Sequence, residues 1–145
     1  MFKDLNAFID ALDKQRELAR ITEPVDPNLE ICAVADRVSK SPGGGPALLF
    51  EKPTGSDMPV AINLYGSTKR ICMALGVEHL DELAREIEEL TTPKIPSGII
   101  DTMKMLPMLG RLTDLMPKTV SSAPCQEVVK KNGTLAGIPV LTCWP

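Results

Sequence analysis

The placement of proline constrains this chain more than any other feature of its sequence. Pro24 and Pro27 exclude helix between them, Pro42 and Pro46 bracket three consecutive glycines, and Pro93, Pro96, Pro107 and Pro117 break up the second half. Each proline fixes φ and lacks a backbone N–H, so regular elements have to fit into the intervals. In the first interval Leu5, Phe8, Ile9 and Leu12 recur at three- and four-residue spacing, with Asp10, Asp13, Lys14 and Arg16 on the opposite face. That period predicts an amphipathic helix from Asp4 to near Leu18, followed by an extended segment, Leu18 to Ile21.

Asp26 is placed to cap a helix that begins at Pro27, where a missing N–H costs nothing, and that runs to about Ser39. Its Leu29, Ile31, Ala33, Val34, Ala35 and Val38 predict a largely buried cylinder. Two strand-length apolar runs follow, Pro46 to Phe50 and Pro59 to Leu64, separated by the turn-rich residues 52–57. Ser67 is suited to cap a helix over Thr68 to Leu75, with Gly76 in the left-handed position just past its end. A further helix, His79 to Leu90, carries Leu80, Leu83, Ile87 and Leu90 as its core stripe and Asp81, Glu82, Arg85, Glu86 and Glu89 on its wet face.

Beyond Thr92 the prolines leave room only for short helical pieces in the Met- and Leu-rich stretch from Ile99 to Met116, read as a connector. From Thr119 the pattern turns strand-like, with Cys125 to Lys130, a turn at Lys131-Asn132-Gly133, and Gly137 to Trp144. The expected organisation is therefore an α/β domain over 1–92, a Pro/Met-rich connector over 93–118, and a separate strand-rich segment over 119–145. Its apolar strand around Val140 to Trp144 has no obvious partner, which predicts fraying or self-association.

A formal charge of -3 and a pI near 5.2 leave no clustered basic face for nucleic acid. No apolar run reaches the roughly 18 to 20 residues that cross a bilayer, and the N-terminus is unlike a signal peptide, so a cytoplasmic location is expected. The four cysteines, Cys32, Cys72, Cys125 and Cys143, form no C-x-x-C pair and read as reduced thiols. With His79 as the one histidine, a His-rich metal site or a His-based triad has nothing to be built from.

Among candidate sites, Ser41-Pro42-Gly43-Gly44-Gly45 lies after a helix and before a strand, the reverse of a phosphate loop, and reads as a connection. Gly66-Ser67-Thr68-Lys69-Arg70 is better placed: it follows a strand and opens a helix, so its backbone N–H groups and two cations could hold an anion. Helix capping by Ser67, with Lys69 and Arg70 exposed, is the favoured alternative. His79 beside Glu78 and Asp81 is favoured as a surface histidine over a metal ligand. Cys125 and Cys143 are favoured as buried structural thiols, since no basic partner is evident. Met103, Met105, Met108 and Met116 are read as interface packing.

Several blocks together resemble the opening of UbiD-family carboxy-lyases. They are Leu18-Ala19-Arg20-Ile21, Val25 to Ile31 with Ala35-Asp36-Arg37, Gly45 to Glu51, Met58-Pro59-Val60 through Asn63 to Arg70, Ala123 to Gln126, and Ile138 to Pro145. The resemblance implies a non-oxidative decarboxylase, a lyase for aromatic or α,β-unsaturated acids of the kind used in quinone (ubiquinone) biosynthesis, homo-oligomeric when full length. It implies prenylated FMN, manganese and a monovalent cation such as potassium as cofactors, the flavin acting as electron sink. It also implies that the segment from Thr119 supplies the first strands of a flavin-binding split β-barrel. The family's catalytic and cofactor residues lie in sequence beyond Pro145, so none is assigned here as catalytic, cofactor-binding or metal-binding. The expectation is an inactive N-terminal fragment. The alternative is a complete non-catalytic module that lends its C-terminal strands to another chain by β-augmentation.

Overall fold

The first helix, α1 (Leu5–Lys14), starts where the Asp4 carboxylate accepts the Ala7 N–H at 2.8 Å, satisfying one of the helix's orphan donors. It buries Phe8, Ile9 and Leu12, as its spacing predicts, and ends at Gln15, three residues before the expected Leu18. A computed structural model describes residues 2–92, Gly110, 116–129 and 131–145. These fall into two units, Met1–Glu78 with Thr134–Pro145, and His79–Gly133.

In the first unit β1 (Leu18–Ile21), β2 (Ala47–Phe50) and β3 (Val60–Ile62) form a sheet in the order β1-β2-β3. β1 runs parallel to β2, with Leu18 opposite Ala47, and β3 antiparallel to it, with Val60 opposite Phe50. All four residues of β2 are buried, because both sheet faces are covered at this central strand. Leu48 and Phe50 pack with Val25, Ile31, Ala35 and Val60 on the face covered by α2 (Glu30–Ser39). Ala47 packs with Phe8 and Leu12 on the other, where Met73 and Ala74 of α3 (Thr68–Leu75) also sit. The result is a small three-layer α/β arrangement in which α2 makes the crossover between the parallel strands. Removing Leu12 or Phe50 side chains from water contributes about 2 kcal/mol each.

α3 forms as its sequence predicts, with the Ser67 hydroxyl accepting the Arg70 N–H at 3.3 Å and Gly76 left-handed at φ 71. α2 does not. It begins at Glu30, three residues after Pro27, and Leu29 takes φ 69 ahead of it. Asp26 instead accepts the Asn28 N–H at 2.8 Å, and its own N–H donates to Glu30. Long-range pairing holds this segment out of the helix: Leu29 N–H donates to Thr142 C=O at 2.9 Å and Thr142 N–H to Pro27 C=O at 3.1 Å. α2 is also wetter than expected, with Ile31 and Ala35 buried but Ala33 exposed and Val34 37% exposed.

The same pairing corrects the reading of the C-terminal segment. Neither Cys125–Lys130 nor Gly137–Trp144 forms a strand among the described residues; Pro124–Gln126 is a short 3-10 turn, and Thr142 makes an isolated parallel bridge to Asn28. Leu141 packs against the core on the α2 face, and the Ser56 hydroxyl donates to Gly137 C=O at 2.6 Å. The part of the segment from Thr134 to Pro145 is thus docked on the first unit, whereas the part before it belongs to the second.

In the second unit α4 (Leu80–Thr91) follows His79, whose N–H donates to the Glu82 carboxylate at 3.1 Å. Its apolar stripe exists but is not buried: Leu80 and Ile87 are exposed and Leu83 and Leu90 half-buried. The methionines at 103, 105 and 108 lie outside the described residues; Met116 is exposed. No helix among the described residues is long and apolar enough to cross a membrane.

Candidate functional site

One end of the sheet gathers the residues that precede β1 and β2 and follow β3. Glu17 is next to Leu18, Pro46 next to Ala47, and Asn63 next to Ile62. The Glu17 C=O accepts the Ala47 N–H at 2.8 Å, tying the two parallel strands at their start. Asn63 adopts φ 57, and its side-chain amide donates to both Gly44 C=O and Pro46 C=O at 2.8 Å. Two glycine-bearing loops therefore cross at this edge. A Cβ on Gly44 would overlap the Gly66 carbonyl, and one on Gly66 would overlap the Asn63 side chain and lie 2.9 Å from Arg70 Nη2. Close backbone approach is the reason these two positions are glycine.

The two cations of the Gly66–Arg70 segment converge on Glu17. Lys69 Nζ donates to Glu17 Oε1 at 2.7 Å, and Arg70 Nη1 to Glu17 Oε2 at 3.1 Å. Arg70 Nη2 donates to Asn63 C=O at 3.3 Å. The Lys69 hydrogen bond is the largest cause holding the Glu17 carboxyl below its usual range; partial burial opposes it and Arg70 assists it. The sequence reads Arg70 as exposed, yet its side chain is 1% exposed, and its Nε is buried without a hydrogen-bond partner among the described residues. Glu17, 53 residues away in sequence, makes that burial possible by neutralising the guanidinium. Nothing in the sequence around Glu17, which lies among Lys14, Arg16 and Arg20, distinguishes it as the partner.

An open cleft of about 530 Å³ lies over this edge, lined by Arg16, Glu17, Gly43, Ser67, Lys69 and Arg70, among others. The flavin phosphate with its cation that the family resemblance implies needs free donors and a cluster of metal-ligating side chains. Here the Arg70 guanidinium is committed inward, Lys69 is shared with Glu17, and no group of three or more His, Cys, Asp or Glu converges among the described residues. The residues present do not fit that group. Ser41–Gly45 serves as a connection, with Gly44 and Gly45 both at positive φ. His79 is exposed at the start of α4. Cys125 and Cys143 are exposed rather than buried, and the sulfur beside Cys143 is that of Cys32, 3.0 Å away. That pair joins residues 111 apart and had no signature in the spacing of the cysteines.

Comparison with known proteins places this architecture. Residues 9–90 match the 3-octaprenyl-4-hydroxybenzoate carboxy-lyase N-terminal domain. An uncharacterised protein of Aquifex aeolicus (strain VF5) is 46% identical over 145 residues, which is 99% of this chain and 30% of that protein. Vanillic acid decarboxylase of Sedimentibacter hydroxybenzoicus, in its open form with a truncated ShVdcD, matches 59% of this chain and 20% of its own at 29% identity and a TM-score of 0.55. Its closed form matches the whole chain and 28% of its own, with a TM-score of 0.68 at 24% identity, which is a likeness of fold. An evolved dimeric form of the UbiD-class enzyme HmfF from Pelotomaculum thermopropionicum, in complex with prFMN, matches 63% of this chain and 20% of its own at 25% identity and a TM-score of 0.51. The chain thus spans less than a third of the length of these relatives. Since the family match takes in the second half of α1, the whole sheet, α2, α3 and nearly all of α4, more than half of the chain, the chain belongs to the UbiD N-terminal domain family.

Proposed function

We propose that this chain is the N-terminal scaffold domain of a UbiD-like non-oxidative decarboxylase for aromatic or α,β-unsaturated carboxylic acids, and that the 145 residues alone are catalytically inert. The observation that carries the proposal is the ion pair of Arg70 with Glu17. The best-placed cation of the chain is used to lock two loops and two strands together, not to face a ligand. The structural relatives at 25% identity or more are decarboxylases or UbiD-class enzymes several times longer than this chain. In the same proposal the segment from residue 119 leads into a flavin-binding split β-barrel. Prenylated FMN, manganese and potassium are held by residues outside the chain, and the assembled enzyme is a cytoplasmic homo-oligomer. The family's link to 3-octaprenyl-4-hydroxybenzoate supports a place in quinone biosynthesis.

The alternative, a module that donates its C-terminal strand to another chain, is weakened by the docking of Thr142 between Pro27 and Leu29 of the same chain. Those donors and acceptors would have to be released before another chain could use them.

Titration of the purified chain with prenylated FMN and Mn(II), followed by flavin absorbance and by carbon dioxide release from aromatic acids, tests the reading. No saturable binding and no release are expected, whereas a protein from the same gene carrying further sequence beyond Pro145 should show both. Saturable flavin binding by the 145 residues would sink the proposal.

A further inference from the structure

Cys32 lies in α2 and Cys143 in the segment docked beside that helix, and their sulfurs stand 3.0 Å apart. We propose that these two thiols form a reversible redox site, oxidised by a low-molecular-weight disulfide to an intramolecular bond that tethers the C-terminal segment to α2.

The geometry is set by backbone pairing, not by chance proximity of two side chains. Thr142 is hydrogen-bonded on both sides, to Pro27 C=O and to Leu29 N–H, which fixes the register of its neighbours. In an extended segment, residues two apart share a face. Leu141 packs into the core on the α2 face, and Cys143, two residues on, meets Cys32 on that same side. Closing the gap from 3.0 Å to the about 2.05 Å of a disulfide asks for a movement of only about 1 Å.

Access permits this pair. Cys143 is exposed and Cys32 partly so; Cys125 is exposed as well, and Cys72 is buried. Hydrogen bonding to Cys143, with partial burial adding to it, pushes the Cys32 thiol up to about 11. Exposure sets the order of events, because a small disulfide reaches the exposed Cys143 before the partly covered Cys32. The Cys143 thiolate attacks one sulfur of the small disulfide, forming a mixed disulfide and expelling one small thiolate. Cys32 then loses its proton to solvent and attacks the Cys143 sulfur, expelling the second small thiolate. Two protein thiols are oxidised and one small disulfide is reduced to two thiols. An excess of small thiol runs the sequence backwards.

The experiment uses the reduced, purified protein and a mixture of oxidised and reduced glutathione, quenched with acid and mapped without reduction. Trypsin cuts after Arg20, Arg37 and Lys131, which puts Cys32 and Cys143 in peptides of their own, apart from Cys72 and Cys125. The expected result is a Cys32–Cys143 cross-linked peptide from monomer whose mass is lower by about 2 Da, lost again with dithiothreitol. Cys125→Ser should leave the yield unchanged, and Cys32→Ser should stop at a glutathione adduct on Cys143. Amide exchange at Leu29, whose N–H donates to Thr142, should slow several-fold on oxidation and recover on reduction. Wild-type protein that stops at the Cys143 adduct, a bridge that includes Cys125 or Cys72, or a bond between two molecules would overturn the proposal.

Discussion

Arg70 and Glu17 face each other across 53 residues of sequence, the Arg70 Nη1 donating to Glu17 Oε2 at 3.1 Å with the arginine side chain 1% exposed and the glutamate 20%. This pair joins the start of β1 to the first turn of α3, while Arg70 Nη2 reaches the Asn63 carbonyl after β3. Removing one partner of a buried pair strands the other charge, at about 3–5 kcal/mol. Glu17→Gln is expected to fall near the upper end, because it strands the 1% exposed Arg70, and Arg70→Ala near the lower end, because the Glu17 it leaves is partly wet and keeps Lys69. Arg70→Lys should rescue little, since one ammonium does not reproduce the two forked contacts. Urea denaturation midpoints of the three variants check the order.

The same carboxylate gives the fold a pH dependence. Lys69 first, and Arg70 in support, hold Glu17 below its ordinary value of 4.5 in the folded state. A group depressed on folding contributes its stability fully above its unfolded value and loses it as pH falls through the folded one. Stability should therefore decline below about pH 4.5, and the Glu17→Gln variant should show a shallower decline over that window. Chemical denaturation at a series of pH values between about 3 and 6 measures it. Parallel curves for the two proteins would remove Glu17 as the cause.

Two glycines separate the cost of backbone conformation from that of a clash. Gly44 and Gly55 have φ of 83 and 77, but a Cβ on Gly55 meets open space and one on Gly44 would overlap the Gly66 carbonyl. Gly55→Ala is expected to cost about 1–2 kcal/mol for the left-handed backbone alone. Gly44→Ala carries the same cost plus about 1–3 kcal/mol for overpacking. Thermal unfolding of the pair should show Gly44→Ala as distinctly the lower.

Thr142→Pro deletes the N–H that donates to Pro27 and leaves the rest of the chain intact. If the docked segment is what keeps residues 27–29 out of α2, the Leu29 amide should exchange markedly faster in this variant. The amides of β2 should be unchanged, because the core strand does not depend on the tail. Hydrogen exchange read by mass spectrometry distinguishes the two regions.

Much of this fold is written in short-range chemistry. Asp4 and Ala7, Ser67 and Arg70, and Gly76 past the end of α3 act within a turn of one another, so the sequence alone determines the start of α1, both ends of α3 and the places of the three strands, though not the end of α1 or the limits of β3. The family blocks were legible for the same reason, being local patterns of capping, turn and strand residues. What the tertiary structure decided depends on partners distant in the chain. Asp26-Pro27 reads locally as a helix start, but Thr142 claims the Pro27 carbonyl and the Leu29 N–H, and α2 begins at Glu30. Arg70 reads as a surface cation until Glu17 neutralises it, and Cys32 has no partner until the C-terminal segment docks. A hydrogen bond or ion pair of 3 Å between residues 53 or 111 apart leaves no period or spacing in the sequence, because only folding brings its two ends together.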